Sequence, residues 1–246
     1  MPCLFVGTPL RGGEGYHPVY VKSLNTLRNL GYILSEPREI YYQDVVRVRS
    51  RLVADFLSTG GPTHLLFVDA DVGFAPQAVE GMLAAQKDYV CCPYPKKALH
   101  WDRLQETEGL PLEAQAYDYS IGFLPGERTV DIATSTISGV SFCGLGLTLL
   151  SRGCIQRMCD HYGQDESLLF HDVIRGGSRL TVALFQLMVR DRHLLPEDYS
   201  FGTRWRDIGG EIHCYLGPGS PATHVGEHVY RGRVEAFCLT RSRHAL

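Results

Sequence analysis

The sequence predicts an α/β protein: a mixed, mostly parallel central sheet flanked by helices, in one domain spanning residues 1–246. Three observations carry that reading. Over the first 92 residues, short continuous apolar runs alternate with amphipathic stretches, the pattern of βα units. Each apolar run ends in Gly, Pro or Asp, as strands do when they empty into loops. The composition, 44% hydrophobic and 21% charged, is that of an ordinary globular chain long enough to bury one large core.

Residues 2–7 form the first apolar run, which stops at Thr8-Pro9 and enters the glycine-rich segment 11–15. Residues 19–30 place Val21, Leu24, Leu27 and Leu30 at three-residue steps, and Gly31 follows where a helix C-cap falls. Asp44 can cap a second helix, whose stripe is Val45, Val48, Leu52 and Phe56 and which Gly60-Gly61 ends. Its other face carries Arg47, Arg49 and Arg51, of which Arg47 and Arg51 are expected in solvent. Residues 64–68 are a buried strand ending in Asp69-Ala70-Asp71, Pro76 opens a helix through Gln86, and 89–92 is the next strand. Periodicity fades over 93–126, read as an excursion or lid. Residues 137–150 return to apolar and small residues, and Ser151 can cap a helix through His161. Residues 180–189 suit strand or helix equally, 194–210 a polar turn or helix, 211–216 a strand, and a final loop holds His224 and His228. Residues 1–92 thus have the order of a nucleotide-binding half, leaving 93–246 to complete the site.

Lys plus Arg number 24 against 27 Asp plus Glu, so no overall field draws the molecule to nucleic acid or anionic lipid. The eight Cys contain no Cys-x-x-Cys pair and mostly sit in apolar runs, which predicts reduced core thiols and not a zinc site. The apolar run at the N-terminus is too short for a signal peptide and no stretch reaches the length of a membrane span, so a soluble, cytoplasmic protein is expected.

Asp69 and Asp71 lie one residue apart directly after a strand, where alternation puts both carboxylates on one side. Two such carboxylates repel each other, and a hard divalent cation bridging them to a diphosphate relieves the repulsion. With its flanks His64-Leu65-Leu66-Phe67-Val68 and Val72-Gly73-Phe74-Ala75-Pro76, the pair resembles the Asp-x-Asp motif of glycosyltransferases with the Rossmann-like GT-A fold. Further segments follow in that family's order. Arg49-Ser50-Arg51 resembles its Arg-Asn-x-Leu segment, with Ser50 in place of Asn. Glu197-Asp198-Tyr199-Ser200-Phe201 resembles its Glu-Asp-x-x-Phe segment, and His224-Val225-Gly226 its C-terminal metal-completing segment. The stretch 97–131 matches none of its motifs.

The resemblance implies Asp71 as the main metal ligand, Asp69 on the metal through water or on the ribose, and His224 as the far ligand, for Mn²⁺ or Mg²⁺. His228 is the competitor, since a helical turn over 226–229 brings both imidazoles to one face. It further implies Thr8 and Pro9 at the nucleotide base, and Lys97 near the donor phosphates. Arg49 either reaches the diphosphate or locks the Asp pair. Gly144 and Gly146 let backbone approach the donor sugar or pack tightly, while Trp101, Trp205, Tyr117 and Tyr119 are candidates for stacking. Asp198, beside Glu197, is the expected general base, its pKa raised by partial burial, and the transfer then inverts the anomeric centre. The expected activity is metal-dependent transfer of a sugar from a nucleoside-diphosphate donor, UDP first and GDP second, in a bacterial or viral protein. Its acceptor is a glycan, a lipid-linked group, a protein or a nucleic acid. Nucleotidyl transfer on the same fold and a non-catalytic nucleotide- or carbohydrate-binding module are the alternatives.

Overall fold

The computed structural model describes residues 3–11, 15–35, 41–42, 44–101, 111–124, 135–174 and 177–233. Residues 12–14 of the glycine-rich segment, parts of the 93–126 excursion and Cys238 lie outside them. The main sheet has seven strands: β1 (Cys3–Gly7), β2 (Ile33–Ser35), β3 (His64–Val68), β4 (Tyr89–Cys91), β5 (Ile137–Val140), β6 (Leu147–Ser151) and β7 (Ile212–Tyr215), in the order β5-β7-β4-β6-β3-β1-β2. The described helices are α1 (Pro18–Asn29), α2 (Val45–Ser58), α3 (Pro76–Ala84), the single turn α4 (Leu112–Gln115), α5 (Arg152–Tyr162) and α6 (Glu197–Asp207).

Alternation along the strands builds two cores, one on each face of the sheet. Phe5, Leu65, Phe67, Tyr89 and Cys91 face one way and pack with Val48, Leu52 and Phe56 of α2, Ile155 and Met158 of α5, and Phe201 and Trp205 of α6. Leu4, Val6, Leu66, Val68 and Val90 face the other way, against Leu24 and Leu27 of α1 and Val79 and Met82 of α3. Each fully buried side chain of this size contributes about 1.5–3 kcal/mol of transfer free energy. The result is one mixed α/β domain of three layers.

The sheet is mixed, with as many antiparallel as parallel pairings between neighbouring strands. β1 pairs in parallel with β2 and β3, and β4 with β7, but β6 enters antiparallel between β3 and β4, and β5 is antiparallel on β7. β6 is buried from Leu147 to Leu150, so its apolar run carries no mark of its direction.

Helix ends follow the local signals. Asp44 Oδ1 accepts from the Val46 N–H at 3.0 Å, Ser151 Oγ from the Cys154 N–H at 3.0 Å, and Gly31 takes φ +89° after α1. The C-terminal end of α2 is finished from far along the chain. Arg152 lays its guanidinium over the Phe56 ring at 4.2 Å and donates to the carbonyls of Phe56, Leu57, Thr59 and Pro62 at 2.8 to 3.3 Å.

Three expectations change. Residues 180–189 form neither one helix nor one strand: Gly177–Val182 pairs with Leu169–Ile174, the chain turns, and Met188–Arg190 pairs with His193–Leu195. Within the excursion, Pro95–Leu99 pairs antiparallel with Tyr117–Tyr119, so its described part is anchored to a strand. Arg47 and Arg51 do not form a solvated face. Arg47 Nη2 at 3.1 Å and Arg51 Nε at 3.3 Å hold Asp172, which is fully buried.

Candidate functional site

β1 leads through α1 to β2 on one side, and β2 returns through α2 to β3 on the other, so the connections diverge between the adjacent strands β1 and β3. Such a switch point opens a crevice at the carboxyl ends of the strands. A cavity of about 830 Å³ lies there, lined by Pro9, Arg49, Asp69, Asp71, Lys97, Glu197 and His224 among others. Seven of the ten site residues expected from the sequence therefore meet in one cavity. Thr8, Gly144 and Asp198 stand outside its lining.

The two aspartates part company. The strand ends at Val68, and a tight turn, with the Val72 N–H on the Asp69 carbonyl at 3.0 Å, breaks the alternation that would align them. Asp69 turns to Arg49, whose Nη2 donates to its Oδ1 at 2.9 Å. Arg49 is 3% exposed, lies with its Cζ 5.1 Å from the Phe67 ring centroid, and has Nε 3.9 Å from Glu197 Oε1. Its Nε and Nη1 have no hydrogen-bond partner, although both are buried. Burial disfavours its charge, but Asp69 and Glu197 outweigh that and raise its pKa. Arg49 thus locks the first aspartate from within the cavity wall.

Asp71 turns to the other wall, where Lys97 Nζ contacts its Oδ2 and His224 Nε2 stands 3.5 Å from its Oδ1. Burial alone would raise its pKa, but the His224 and Lys97 contacts overcome that and hold it at about 2. His224 arrives on the strand Thr223–Val225, which pairs with Val72–Gly73 directly after the aspartates, and the Val225 N–H donates to the Asp71 carbonyl at 3.0 Å. Its Nδ1 lies 2.8 Å from the Pro95 carbonyl oxygen, which can only accept, so Nδ1 carries a proton. A neutral His224 then points the Nε2 lone pair at a carboxylate oxygen. Two acceptors face each other there, an arrangement favourable only with a proton or a cation between them. Imidazole oriented by a backbone carbonyl, opposite a carboxylate, suits a divalent cation completed by ligand oxygens. Among the described residues no three His, Cys, Asp or Glu side chains gather into a group that could hold a metal ion.

His228 goes elsewhere. The segment 226–229 is no helical turn but the tip of a hairpin, with His224 opposite Tyr230, and His228 Nε2 meets Glu113 Oε1 at 2.7 Å. Thr8 Oγ1 is 2.7 Å from the Tyr20 hydroxyl, at the edge of the cavity and not in its wall. Gly144 and Gly146 lie under Tyr94: a Cβ on Gly144 would fall 2.2 Å from its hydroxyl, and one on Gly146 would fall 2.7 Å from its Cζ and 2.9 Å from Asp69 Oδ2. Packing against that ring accounts for both glycines. Trp205, Tyr117 and Tyr119 are buried, and Trp101 is exposed; none lines the cavity.

Glu197 and Asp198 open α6 without a side-chain cap of their own. Burial, then the neighbouring Glu197, push the Asp198 carboxyl up to about 6 against the opposing Tyr199 N–H at 2.8 Å and Arg49. Sequence reasoning missed Tyr94, Tyr16 and His17. Tyr94 packs its ring edge-on to His224 at 5.2 Å and accepts from the Gly146 N–H at 3.1 Å. Tyr16 and His17 line the cavity at the start of α1, where Tyr16 stacks on Tyr20 at 4.9 Å and the His17 N–H donates to the Ala70 carbonyl at 2.9 Å. Their one available signal was position, since each follows a strand at the same end of the sheet.

Fold and cavity together define a mixed α/β protein with a charged crevice at the carboxyl ends of its strands. No protein-family model matches the chain, and no curated protein matches it. Its fold is similar to that of A197 from STIV, at 17% identity over 95% of each chain with a TM-score of 0.48. It is also similar to a glycosyltransferase involved in the glycosylation of the major capsid of PBCV-1, at 10% identity over 68% of this chain and 70% of that one, with a TM-score of 0.34. Among the described residues no helix is long and apolar enough to cross a membrane.

Proposed function

We propose that the protein is a glycosyltransferase that takes a sugar from a nucleoside-diphosphate donor, UDP before GDP, with a divalent cation, Mn²⁺ or Mg²⁺. The observation that carries the reading is the Asp71 carboxylate facing the His224 Nε2 across 3.5 Å at the mouth of the switch-point crevice. Asp71 and His224 are the residues that would hold the cation, which would supply neutralising charge to the departing diphosphate. Arg49 supports the same reading, because a buried guanidinium in the cavity wall would attract an anion. Asp69 keeps Arg49 in place.

Sugar transfer also requires that an acceptor oxygen lose its proton. Asp198, which burial and then Glu197 push up to about 6, is ionised at neutral pH yet basic enough to take that proton from an acceptor bound beside the cavity, whose lining holds Glu197 and not Asp198. Glu197 itself faces the cavity and Arg49. A carboxylate base of this kind corresponds to an inverting transfer.

Calorimetric titration of UDP and of GDP, with Mn²⁺ and then with EDTA, tests the assignment on the wild type and on Asp71→Asn. Binding of one nucleotide that is lost with EDTA and lost in Asp71→Asn is expected. Nucleotide affinity unchanged by either would remove the cation from the proposal, and no binding of UDP or GDP would remove the donor.

A further inference from the structure

We propose that Lys97 is the resident counter-ion of Asp71, and that a divalent cation and the Lys97 ammonium compete for that one carboxylate. The inference rests on the cation-assisted reading of the cavity and adds to it how the cation is admitted. Three features carry it.

The first is placement. Lys97 Nζ contacts one oxygen of Asp71 while His224 approaches the other, and all three residues line the cavity. Both it and the His-orienting carbonyl come from one strand. Pro95 and Lys97 both lie on Pro95–Leu99, whose pairing with Tyr117–Tyr119 is irregular between Pro95 and Leu99. The strand that turns the imidazole lone pair towards one oxygen of Asp71 thus also delivers a positive charge to the other.

The second is mobility with an anchored stem. The Lys97 methylenes lie against Gly226, where an added Cβ would come within 3.1 Å of Cδ. The side chain as a whole is 38% exposed. Strand pairing on either side holds the backbone and this contact holds the outer methylenes, which leaves the ammonium rotation about the Cδ–Cε bond to turn from Asp71 to another anion.

The third is charge. Asp69, Asp71 and Glu197 face Arg49 and Lys97 in the cavity wall, an excess of one negative charge. A dication at Asp71 reverses that to an excess of one positive charge and frees the ammonium, as a diphosphate needs. Without the cation the wall is closed on itself by ion pairs. The two cations cannot share the carboxylate comfortably, because a single and a double positive charge about 5 Å apart repel by on the order of tenfold in affinity even at the dielectric constant of water.

Titration with Mn²⁺ alone, read by calorimetry and by the electron paramagnetic resonance of free Mn²⁺, tests the competition. The chains compared are wild type, Lys97→Met, Asp71→Asn and the double variant. Methionine keeps an unbranched apolar stem against Gly226 and removes the charge, and thermal unfolding checks that the fold is retained. Lys97→Met is expected to bind Mn²⁺ roughly tenfold more tightly than wild type, with the gain absent from the double variant. Equal Mn²⁺ affinity in wild type and Lys97→Met, both lost on Asp71→Asn, would overturn the competition and leave the cation site standing. Absence of any Asp71-dependent Mn²⁺ binding in either chain would overturn both.

Discussion

Replacing Asp198 by Asn separates what this carboxyl does for the fold from what it does for the chemistry. Its pKa of about 6 in the folded protein, against an ordinary 3.8, means that ionisation is disfavoured where it sits. About two units correspond to about 3 kcal/mol at most. The sign follows from proton binding. Below about pH 4 the carboxyl is protonated in both folded and unfolded chains and contributes no pH-dependent difference. Between about pH 4 and pH 6 the unfolded chain has released the proton and the folded chain retains it, so stability falls as pH rises; above about pH 6 the loss is complete. Asparagine is nearly isosteric, keeps an oxygen to accept the Tyr199 N–H, and carries no charge at any pH. Thermal unfolding of Asp198→Asn is therefore expected to match wild type near about pH 4 and to exceed it near about pH 8 by ~1–3 kcal/mol, on the order of 5 °C in Tm. In the same preparation, sugar transfer is expected to fall by ~10²-fold or more with nucleotide binding preserved. A stability gain equal at both pH values would refute the raised pKa, and near-normal turnover would move the base role to Glu197 or to a retaining mechanism.

Two further substitutions test the frame that holds the site. Arg152→Met keeps contact with the Phe56 ring but abandons the carbonyls at the end of α2, so a loss of ~2–4 kcal/mol in denaturant unfolding is expected. A loss under about 0.5 kcal/mol would show that water replaces those donors freely. Gly144→Ala drives a methyl group into the Tyr94 hydroxyl and Ser120, with an expected cost of ~1–3 kcal/mol that is smaller in a Tyr94→Phe background. Strictly additive effects of the two changes would mean that the contact with the Tyr94 hydroxyl is not what constrains Gly144.

Much of the frame could be read from local signals. Asp44, Pro76 and Ser151 marked helix starts because capping and N1 chemistry act within four residues, and the run from His64 to Val68 marked a strand because its length and Val68-Asp69 boundary are local too. Direction is not local. Leu147 to Leu150 is buried on both faces, and such a run looks the same whichever way it enters the sheet, which is why the antiparallel β6 went unread. Arg47 and Arg51 looked solvated because their partner, Asp172, lies more than a hundred residues away. The crevice was legible as a set of residues, since most of those picked from the sequence line it, but not as a geometry. Three-residue strands such as Thr223–Val225 carry too little alternation to be told from a helical turn, so the separate fates of His224 and His228 emerged only in the fold. The split between Asp69 and Asp71 depends on one turn hydrogen bond that no pattern of side chains encodes.

The pairing of Val72–Gly73 with Thr223–Val225 has a temporal side as well. These partners are about 150 residues apart in sequence, but once Ile212–Tyr215 is in the sheet only the short segment up to Thr223 remains to be closed, at little further cost in chain entropy. The main sheet draws its last strand from Ile212–Tyr215, so every strand of it is synthesised before His224. A growing chain can therefore bury its core while Asp71 still lacks its imidazole. Opening the hairpin at 223–231 would withdraw His224 and lift Tyr230 from the core, while the pairings of β3 with β1 and β6 involve other strands. The imidazole facing Asp71 is thus among the last parts of the crevice to be made, and it is held by a hairpin whose Tyr230 closes one edge of the core.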